Sequence, residues 1–224
     1  MKHVTFYLDF ISPYAYLAFE ALPKALMGQS YTMRYKPVLF AGMLKHYGQL
    51  GPAEIGPKRE WTYRQALWLG KEMNIPIDLP AQHPFNPLAL LRLACACSGD
   101  ADQPSGLPNR LVCELIFKHV WQGGLDATDP SRIQTLAETL PLQNDRQSEA
   151  VKSLLQTNTQ QAIEQGVFGV PTFCVDDKVF WGQDALPILR AYLAGDPWFA
   201  SDHWEQATRL PLGQTRQQKV QLPP

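Results

Sequence analysis

The chain has 224 residues, 45% of them hydrophobic and 18% charged, and its formal net charge is −1. This size suits one large globular domain or a domain that carries an insertion. The balance of 20 basic and 21 acidic residues argues against a nucleic-acid-binding surface and an acidic disordered tail, so we expect a neutral or anionic small-molecule substrate.

The first residues lead directly into strand-like sequence and lack the apolar core and cleavage site of a signal peptide. No run of about 18 apolar residues is present, which argues against a membrane span. The chain has four cysteines, and Cys95 and Cys97 have neither a redox nor a zinc spacing. We therefore expect a cytoplasmic protein with reduced, buried thiols. His83 and His119 lack partners at metal-ligand spacing, and we predict no metal site.

The first three predicted elements form a β-α-β unit. Alternating apolar residues predict a strand over His3–Phe10, helical spacing predicts a helix over Pro13–Met27, and a second strand is expected over Tyr31–Val38. Pro23 should kink the helix or end it early. A β-α-β order favours a right-handed crossover and two parallel strands.

The joint between the first strand and helix is the sharpest local signal. Ser12 is a favoured N-cap residue, and Pro13 follows at the first helical position, where its missing N–H has no cost. The N-terminus of a helix carries free N–H groups and a partial positive charge. The sequence therefore predicts a place where an anion could be stabilised beside Ser12.

From Phe40 to about Gln165 the pattern is helical, with Gly- and Pro-rich joints. Residues 48–57 are expected to form a loop and residues 74–87 an extended segment. Helices are predicted over Lys58–Met73, Leu88–Cys97, Asn109–Val120, Pro130–Glu138 and Ser148–Gln165.

Strand signals return near the end of the chain. Gly169-Val170-Pro171-Thr172 is a turn that opens a strand, and Asp176-Asp177 is a candidate hairpin turn before a return strand over Lys178–Trp181. A closing helix is expected over Asp184–Leu193. The tail should pack over the surface, with Gln214–Pro224 loosely held.

The element order predicts one α/β sheet domain interrupted by a helical domain. We place the sheet domain at 1–39 and 146–195, the inserted helical domain at 40–145, and a C-terminal tail at 196–224. This order resembles the thioredoxin-like fold in its DsbA-like form. The resemblance rests on Ser12-Pro13-Tyr14-Ala15, where that fold has its C-x-x-C pair, and on Gly169-Val170-Pro171-Thr172, which looks like its cis-proline loop.

The replacement of both cysteines removes dithiol exchange from this position. A helix N-terminus and a hydroxyl remain, which suit a thiolate supplied by a ligand such as glutathione, because such surroundings lower a thiol pKa.

In finer detail the chain resembles the 2-hydroxychromene-2-carboxylate isomerases, which are relatives of the kappa-class glutathione transferases. The matching stretches are Asp9 to Ala18, Lys36-Pro37, Gly169 to Phe173 and Phe180 to Asp184. The resemblance covers nearly the whole chain, and it implies a homodimer.

The resemblance also implies roles for residues. Ser12 would be the catalytic residue and hold the glutathione sulfur. Val170 would pair its backbone with the cysteinyl part, and Gln183 and Asp184 would bind the γ-glutamyl end. Lys58 would bind the glycyl carboxylate.

Further residues of the predicted site are expected around this cofactor. Gln49 stands where kappa enzymes often carry Asn, and Asn86 falls in a segment that lines the family's site. Lys36 offers a cation for a substrate carboxylate. Phe40 and Trp61, with Tyr14, could form the wall of an aromatic pocket.

Each of these residues also has a purely structural interpretation. Ser12 could be only an N-cap, and Asp184 could be only a carboxylate favoured by the helix dipole. Lys58 could belong to a solvated face and Lys36 could simply flank Pro37. These alternatives stay open at the level of sequence.

The resemblance implies a glutathione-dependent isomerase that interconverts 2-hydroxychromene-2-carboxylate and trans-o-hydroxybenzylidenepyruvate in the breakdown of naphthalene-like aromatics. A thiolate would add to the conjugated carbon, allow rotation and then leave. The alternatives are a kappa-like glutathione transferase or peroxidase, and a non-catalytic DsbA-like protein that binds thiols or peptides.

Overall fold

A four-stranded mixed sheet lies at the centre of the protein, in a computed structural model that describes residues 1–97 and 107–214. The sheet has the strand order β2-β1-β3-β4. Its strands are β1 (Lys2–Leu8), β2 (Tyr31–Pro37), β3 (Thr172–Val175) and β4 (Lys178–Trp181). The two halves of the chain therefore meet where β1 pairs with β3.

The predicted β-α-β unit is confirmed. β1 and β2 are parallel, and the helix α1 (Pro13–Ala25) connects them. The helix continues past Pro23 and ends at Ala25, two residues before the predicted end at Met27. The kink expected at Pro23 stays a prediction. The Phe19 carbonyl, which would have paired with the missing N–H of Pro23, accepts hydrogen bonds from the Arg110 guanidinium at 3.3 and 3.4 Å instead.

The middle of the chain is helical, as predicted. For the five helices in this part whose bounds were predicted, each end lies within two residues of its predicted position. The loop over 48–57 contains a 3₁₀ turn at Pro52–Glu54. The helices are α2 (Phe40–Tyr47), α3 (Gly56–Met73), α4 (Leu88–Ala96), α5 (Arg110–Trp121), α6 (Pro130–Thr139) and α7 (Glu149–Glu164).

The end of the chain completes the sheet and packs over it. β3 and β4 form the predicted antiparallel hairpin. The closing helix α8 is Leu186–Leu193. Its predicted start at Asp184 is wrong, because a 3₁₀ turn spans Gln183–Ala185. Pro187 has no N–H to offer the Gln183 carbonyl, which accepts the Leu186 N–H in a tighter i→i+3 bond.

The tail packs over the surface, as expected. It forms a 3₁₀ turn at Pro197–Ala200 and the helix α9 (Asp202–Arg209). The Phe199 ring packs edge-on and the Trp204 ring packs at a tilt against Phe180 of β4. The prediction that Gln214–Pro224 is loosely held falls almost entirely on residues outside the described ones.

The sheet buries both faces. Phe6 and Phe173 belong to the main core, which runs into α1, α4, α5 and α8. On the other face Tyr7, Val38 and Val170 form a smaller core beneath α2 and α7. All four cysteines are free and buried, as predicted. Because one core joins the sheet to α4 and α5, the structure does not mark the predicted domain boundaries, and they stay a prediction.

No helix in the two described stretches combines the length and the apolar character needed to cross a bilayer.

Gly70 sets how closely α3 meets the extended segment that follows it. A Cβ at this position would lie 2.3 Å from Ile77 Cγ2 and 3.0 Å from the Ile75 carbonyl oxygen, whereas a Cβ at Gly56 would meet nothing within 4 Å. We expect Gly70→Ala to lower the free energy of unfolding by about 1–3 kcal/mol, because such overpacking shifts the segment. The matched variant Gly56→Ala should cost nothing, and urea unfolding of both variants checks the difference.

Candidate functional site

Ser12 caps α1 at the point where β1 ends. Its hydroxyl oxygen accepts the Ala15 N–H at 3.2 Å, and its own N–H donates to the Asp9 carbonyl oxygen at 3.1 Å. Pro13 occupies the first helical turn. The Ser12 side chain is thus held at the positive end of the helix, and the residue is 8% exposed.

The predicted cis-proline loop faces Ser12. The Val170–Pro171 peptide bond is cis, and the Ser12 hydroxyl donates to the Val170 carbonyl oxygen at 3.4 Å. This hydrogen bond is long, so the hydroxyl can turn to another acceptor at little cost. The loop is itself fixed, because Thr172 Oγ1 donates to the Gly169 carbonyl oxygen at 2.7 Å.

Asp9 is a fully buried carboxyl group three residues before Ser12. One of its oxygens accepts the Ile11 N–H at 3.2 Å, and the other accepts the Phe40 N–H, at the start of α2, at 2.9 Å. Burial raises the pKa of Asp9 to about 7, although these backbone donors favour the charged form. Asp9 therefore ties the Ser12 turn to α2 and titrates near neutral pH.

The turn after β4 lies next to the Ser12 turn and the cis-proline loop. The Gln183 side chain donates to the Met73 sulfur at 3.5 Å, which joins this turn to α3. Asp184 is exposed at the same turn, and its charge contributes to the raised pKa of Tyr14, whose main cause is burial. Asp184 therefore lies within electrostatic reach of the first turn of α1. Gly182 has φ +104°, and a Cβ there would meet Asp184 Oδ1 at 2.3 Å.

The structure thus brings together Ser12, Val170 and the turn with Gln183 and Asp184 at the end of the sheet where β1 and β4 end and β3 begins. Lys58 is exposed on the first turn of α3, on the same helix face as Gln65, whose side chain accepts the Tyr14 hydroxyl at 2.7 Å.

The remaining predicted site residues have other partners, and none of them has a hydrogen bond to Ser12 among the described residues. Lys36 donates to Gln161 on α7 at 2.6 Å, and Asn86 accepts the Leu88 N–H at 3.0 Å. Gln49 is exposed after α2, Phe40 is half-buried at its start, and Trp61 is 62% exposed on α3.

A model of the DSBA-like thioredoxin domain matches residues 3–194. The chain belongs to this family. Among curated proteins it is 28% identical over 199 residues to the 2-hydroxychromene-2-carboxylate isomerase of Sphingobium xenophagum, with 86% of this chain and 98% of that protein covered.

Two further relatives extend the comparison. The glutathione S-transferase kappa 1 of Rattus norvegicus is also 28% identical over 209 residues, with coverage of 86% and 90%. A solved structure of a 2-hydroxychromene-2-carboxylate isomerase has a TM-score of 0.72 and 25% identity, and it covers 91% of this chain and 98% of its own. The predicted resemblance and the DsbA-like thioredoxin fold are thereby confirmed.

Within this DsbA-like fold, the site lacks a thiol of its own. Ser12-Pro13-Tyr14-Ala15 occupies the turn after β1. Burial raises the pKa of Cys95 and of Cys174 to about 12, so these thiols stay protonated at neutral pH. The arrangement can hold a thiolate that another molecule supplies, and dithiol exchange at this turn is excluded.

Sequence reasoning missed two neighbours of the Ser12 turn. From the sequence, Asp9 is only part of a stretch that resembles the isomerases, and His83 is considered only as a metal ligand. In the structure the His83 imidazole lies 2.8 Å from the Ile11 carbonyl oxygen. A charged residue inside an apolar strand end was a usable signal for Asp9. No spacing could reveal His83, because its partner is a backbone carbonyl 72 residues away.

The pKa of Asp9 gives a test of its burial. Its pKa in the folded state is about 7, above the usual value of 3.8, so the folded state binds the extra proton between these values and loses stability as pH rises. From pH 5 to pH 8 the free energy of unfolding should fall by about 2–3 kcal/mol because of this residue. Asp9→Asn should remove that part of the slope.

The comparison is made by urea unfolding of both proteins at several pH values. His83 and His119, whose pKa values are lowered mainly by burial, add stability as pH rises and are present in both proteins, so they cancel in the difference. Equal slopes in the two proteins would show that Asp9 does not titrate as a buried group.

Proposed function

We propose that this protein is a glutathione-dependent isomerase that interconverts 2-hydroxychromene-2-carboxylate and trans-o-hydroxybenzylidenepyruvate in the breakdown of naphthalene-like aromatics. The observation that carries the proposal is Ser12, a hydroxyl at the N-terminus of α1 that faces the carbonyl before the cis-proline. Relatives that carry the isomerase name, at 28% identity over most of the chain, support the choice of reaction.

The donor set of the site fits the charges of glutathione. The N-terminus of α1 and the Ser12 hydroxyl suit a thiolate, and the exposed Asp184 carboxylate suits the γ-glutamyl ammonium. Lys58, on the first turn of α3, offers an exposed ammonium group for the glycyl carboxylate. We assign the backbone of Val170 to the cysteinyl part and the amide of Gln183 to the γ-glutamyl end, with Gln49 as a further contact.

Bound glutathione supplies a nucleophilic thiolate whose reversible addition makes the conjugated double bond free to rotate. The protein supplies charge and orientation. Ser12 turns its hydroxyl from the Val170 carbonyl to the sulfur, since that hydrogen bond of 3.4 Å is weak. The dipole of α1 lowers the thiol pKa further, and Ser12 itself is not the nucleophile.

Substrate contacts form the second part of the proposal. Lys36 is the cation that we assign to the substrate carboxylate, and burial lowers its pKa, which makes its ammonium easier to pair than a fully hydrated one. To serve a substrate it must release Gln161. Phe40, Trp61 and Asn86 are assigned to the walls around the aromatic ring.

A second candidate is a kappa-like glutathione transferase or peroxidase, which would use the same thiolate on an electrophile or a peroxide. The relatives named glutathione S-transferase kappa favour it, with identities of 24–28% over 86–88% of this chain. Both candidates need the same sulfur site, and they differ in what the thiolate attacks.

The proposal includes a cytoplasmic location and a homodimer. Four free, buried cysteines agree with a reducing compartment, where glutathione is itself mostly a thiol. Leu67 and Trp68 on α3 are 41% and 56% exposed, which gives a second copy an apolar surface to cover.

The first test measures isomerisation of the chromene with and without glutathione. We expect turnover that depends on glutathione and saturates with it, because the chain has no thiol at the site. Isomerisation at full rate without glutathione would overturn the mechanism. Conjugation of a chlorinated aromatic with no isomerisation would favour the transferase, and neither activity would favour a non-catalytic thiol-binding protein.

A second test separates the hydroxyl of Ser12 from its capping role. Ser12→Ala should lower turnover about 10- to 100-fold, because a hydrogen bond to a charged group is worth about 1.5–3 kcal/mol. It should also raise the thiol pKa of bound glutathione, read by ultraviolet titration.

The matched control is Ser148→Ala. Ser148 caps α7 through the Val151 N–H, so both variants should lose about 1 kcal/mol of stability. Only Ser12→Ala should change turnover and the thiol pKa. Equal effects of the two variants would reduce Ser12 to a helix cap.

A further inference from the structure

A chain of hydrogen bonds runs from α3 to the peptide that precedes Ser12. Arg59 Nε donates to the Tyr63 hydroxyl at 3.2 Å, and that hydroxyl lies 2.8 Å from His83 Nδ1. His83 Nε2 in turn lies 2.8 Å from the Ile11 carbonyl oxygen. The imidazole therefore stands between the helical block and the Ser12 turn.

The partners of His83 fix its tautomer. A carbonyl oxygen only accepts, so Nε2 must carry the proton that is donated to Ile11. In the neutral ring Nδ1 is then an acceptor, and the single proton of the Tyr63 hydroxyl is within reach of both Nδ1, at 2.8 Å, and the His83 carbonyl oxygen, at 3.1 Å. Burial lowers the pKa of His83, and the Arg59 charge lowers it further, so the neutral form with this tautomer is favoured.

The ring is also held by packing. Its centroid is 5.6 Å from that of Trp121 and 5.8 Å from that of Phe85. Trp121 Nε1 donates to the Phe10 carbonyl oxygen at 2.9 Å, one peptide before the carbonyl that His83 holds. Two consecutive carbonyls of the turn are thus bound by side chains that contact each other.

The orientation of the Ile11–Ser12 peptide decides where Ser12 points. Its carbonyl is fixed by His83, and its N–H is fixed by the Asp9 carbonyl. Rotation of this peptide plane would swing the Cα–Cβ bond of Ser12 away from the Ala15 N–H and the Val170 carbonyl. A residue that never touches a ligand can in this way set the position of the hydroxyl that does.

We propose that His83 is a positioning residue for Ser12, which it holds through the Ile11 carbonyl in line with the N-terminus of α1. Tyr63 supports His83, because its hydroxyl lies 2.8 Å from the ring atom Nδ1 and 3.1 Å from the His83 carbonyl oxygen. The importance of this for a bound thiolate rests on the proposed function, whereas the effect on the Ser12 turn itself does not.

The test compares two histidines that the structure places in similar surroundings. His119 is also half-buried, and its Nε2 lies 3.0 Å from a backbone carbonyl oxygen, that of Ala127. Among the described residues its side chain has no hydrogen bond to the turn before Ser12. His83→Phe and His119→Phe should therefore cost similar stability. Only His83→Phe should disturb the Ser12 turn.

The first readout needs no ligand. In the free protein, hydrogen exchange of the Ala15 amide, which donates to Ser12 Oγ, should become about 3- to 10-fold faster in His83→Phe, in line with the loss of one hydrogen bond. His119→Phe should leave it unchanged. His83→Gln, which keeps an N–H at a similar reach, should restore most of the protection.

The second readout is the thiol pKa of glutathione bound to the protein. It should rise by about 0.5 unit in His83→Phe and stay unchanged in His119→Phe. If the wild-type protein does not lower this pKa, the proposed function fails, and the Ala15 exchange still decides the role of His83.

Equal Ala15 exchange in the two phenylalanine variants would overturn the proposal. Should His83→Phe fail to fold, Tyr63→Phe replaces it, because this variant removes only the hydroxyl that lies beside Nδ1. It should accelerate Ala15 exchange in the same direction by a smaller factor, and an unchanged rate would likewise overturn the proposal.

Discussion

Buried peptide groups must find hydrogen-bond partners, and this requirement governs the turn between β1 and α1. The turn satisfies two of its N–H groups internally, since those of Ile11 and Ser12 donate to Asp9. Its carbonyls find partners on distant elements, namely Trp121 at the end of α5 and His83 before α4, and the Asp9 carboxylate in turn binds the first N–H of α2. The rest of the fold places these groups within hydrogen-bond distance of the turn.

This arrangement explains why the helical block is not a simple appendage to the sheet. Its side chains complete the hydrogen bonding of a turn that the sheet creates, and its apolar faces share the main core with β1 and β3. Substitutions in the helical block should therefore shift the Ser12 turn even where they remove no contact with a ligand. The same logic applies to α3, which contacts the site through the Tyr14–Gln65 and Gln183–Met73 side-chain pairs.

The sequence was most informative where chemistry is local. Periodicity predicted the β-α-β unit and the hairpin, and Ser12-Pro13 predicted the start of α1, because each depends on neighbours in the chain. The cis-proline loop at Val170-Pro171 was implied by the resemblance to the DsbA-like fold. The helix accommodates Pro23 for a non-local reason, since the carbonyl that Pro23 leaves unpaired is bound by Arg110, 87 positions further along. The partners of Asp9 and His83 were likewise beyond any pattern.

The burial of the four cysteines has a consequence for chemical selectivity. Under the proposed function the protein would work in a glutathione pool, which also contains glutathione disulfide. An accessible cysteine thiolate would attack that disulfide, form a mixed disulfide with one glutathione and release the other as a thiolate. Here every cysteine is buried, and burial raises the pKa values of Cys95, Cys113 and Cys174 above the ordinary value of a thiol. The buried thiols are therefore poorly reactive towards glutathione disulfide. We expect them to stay reduced in a glutathione redox buffer that would modify exposed cysteines.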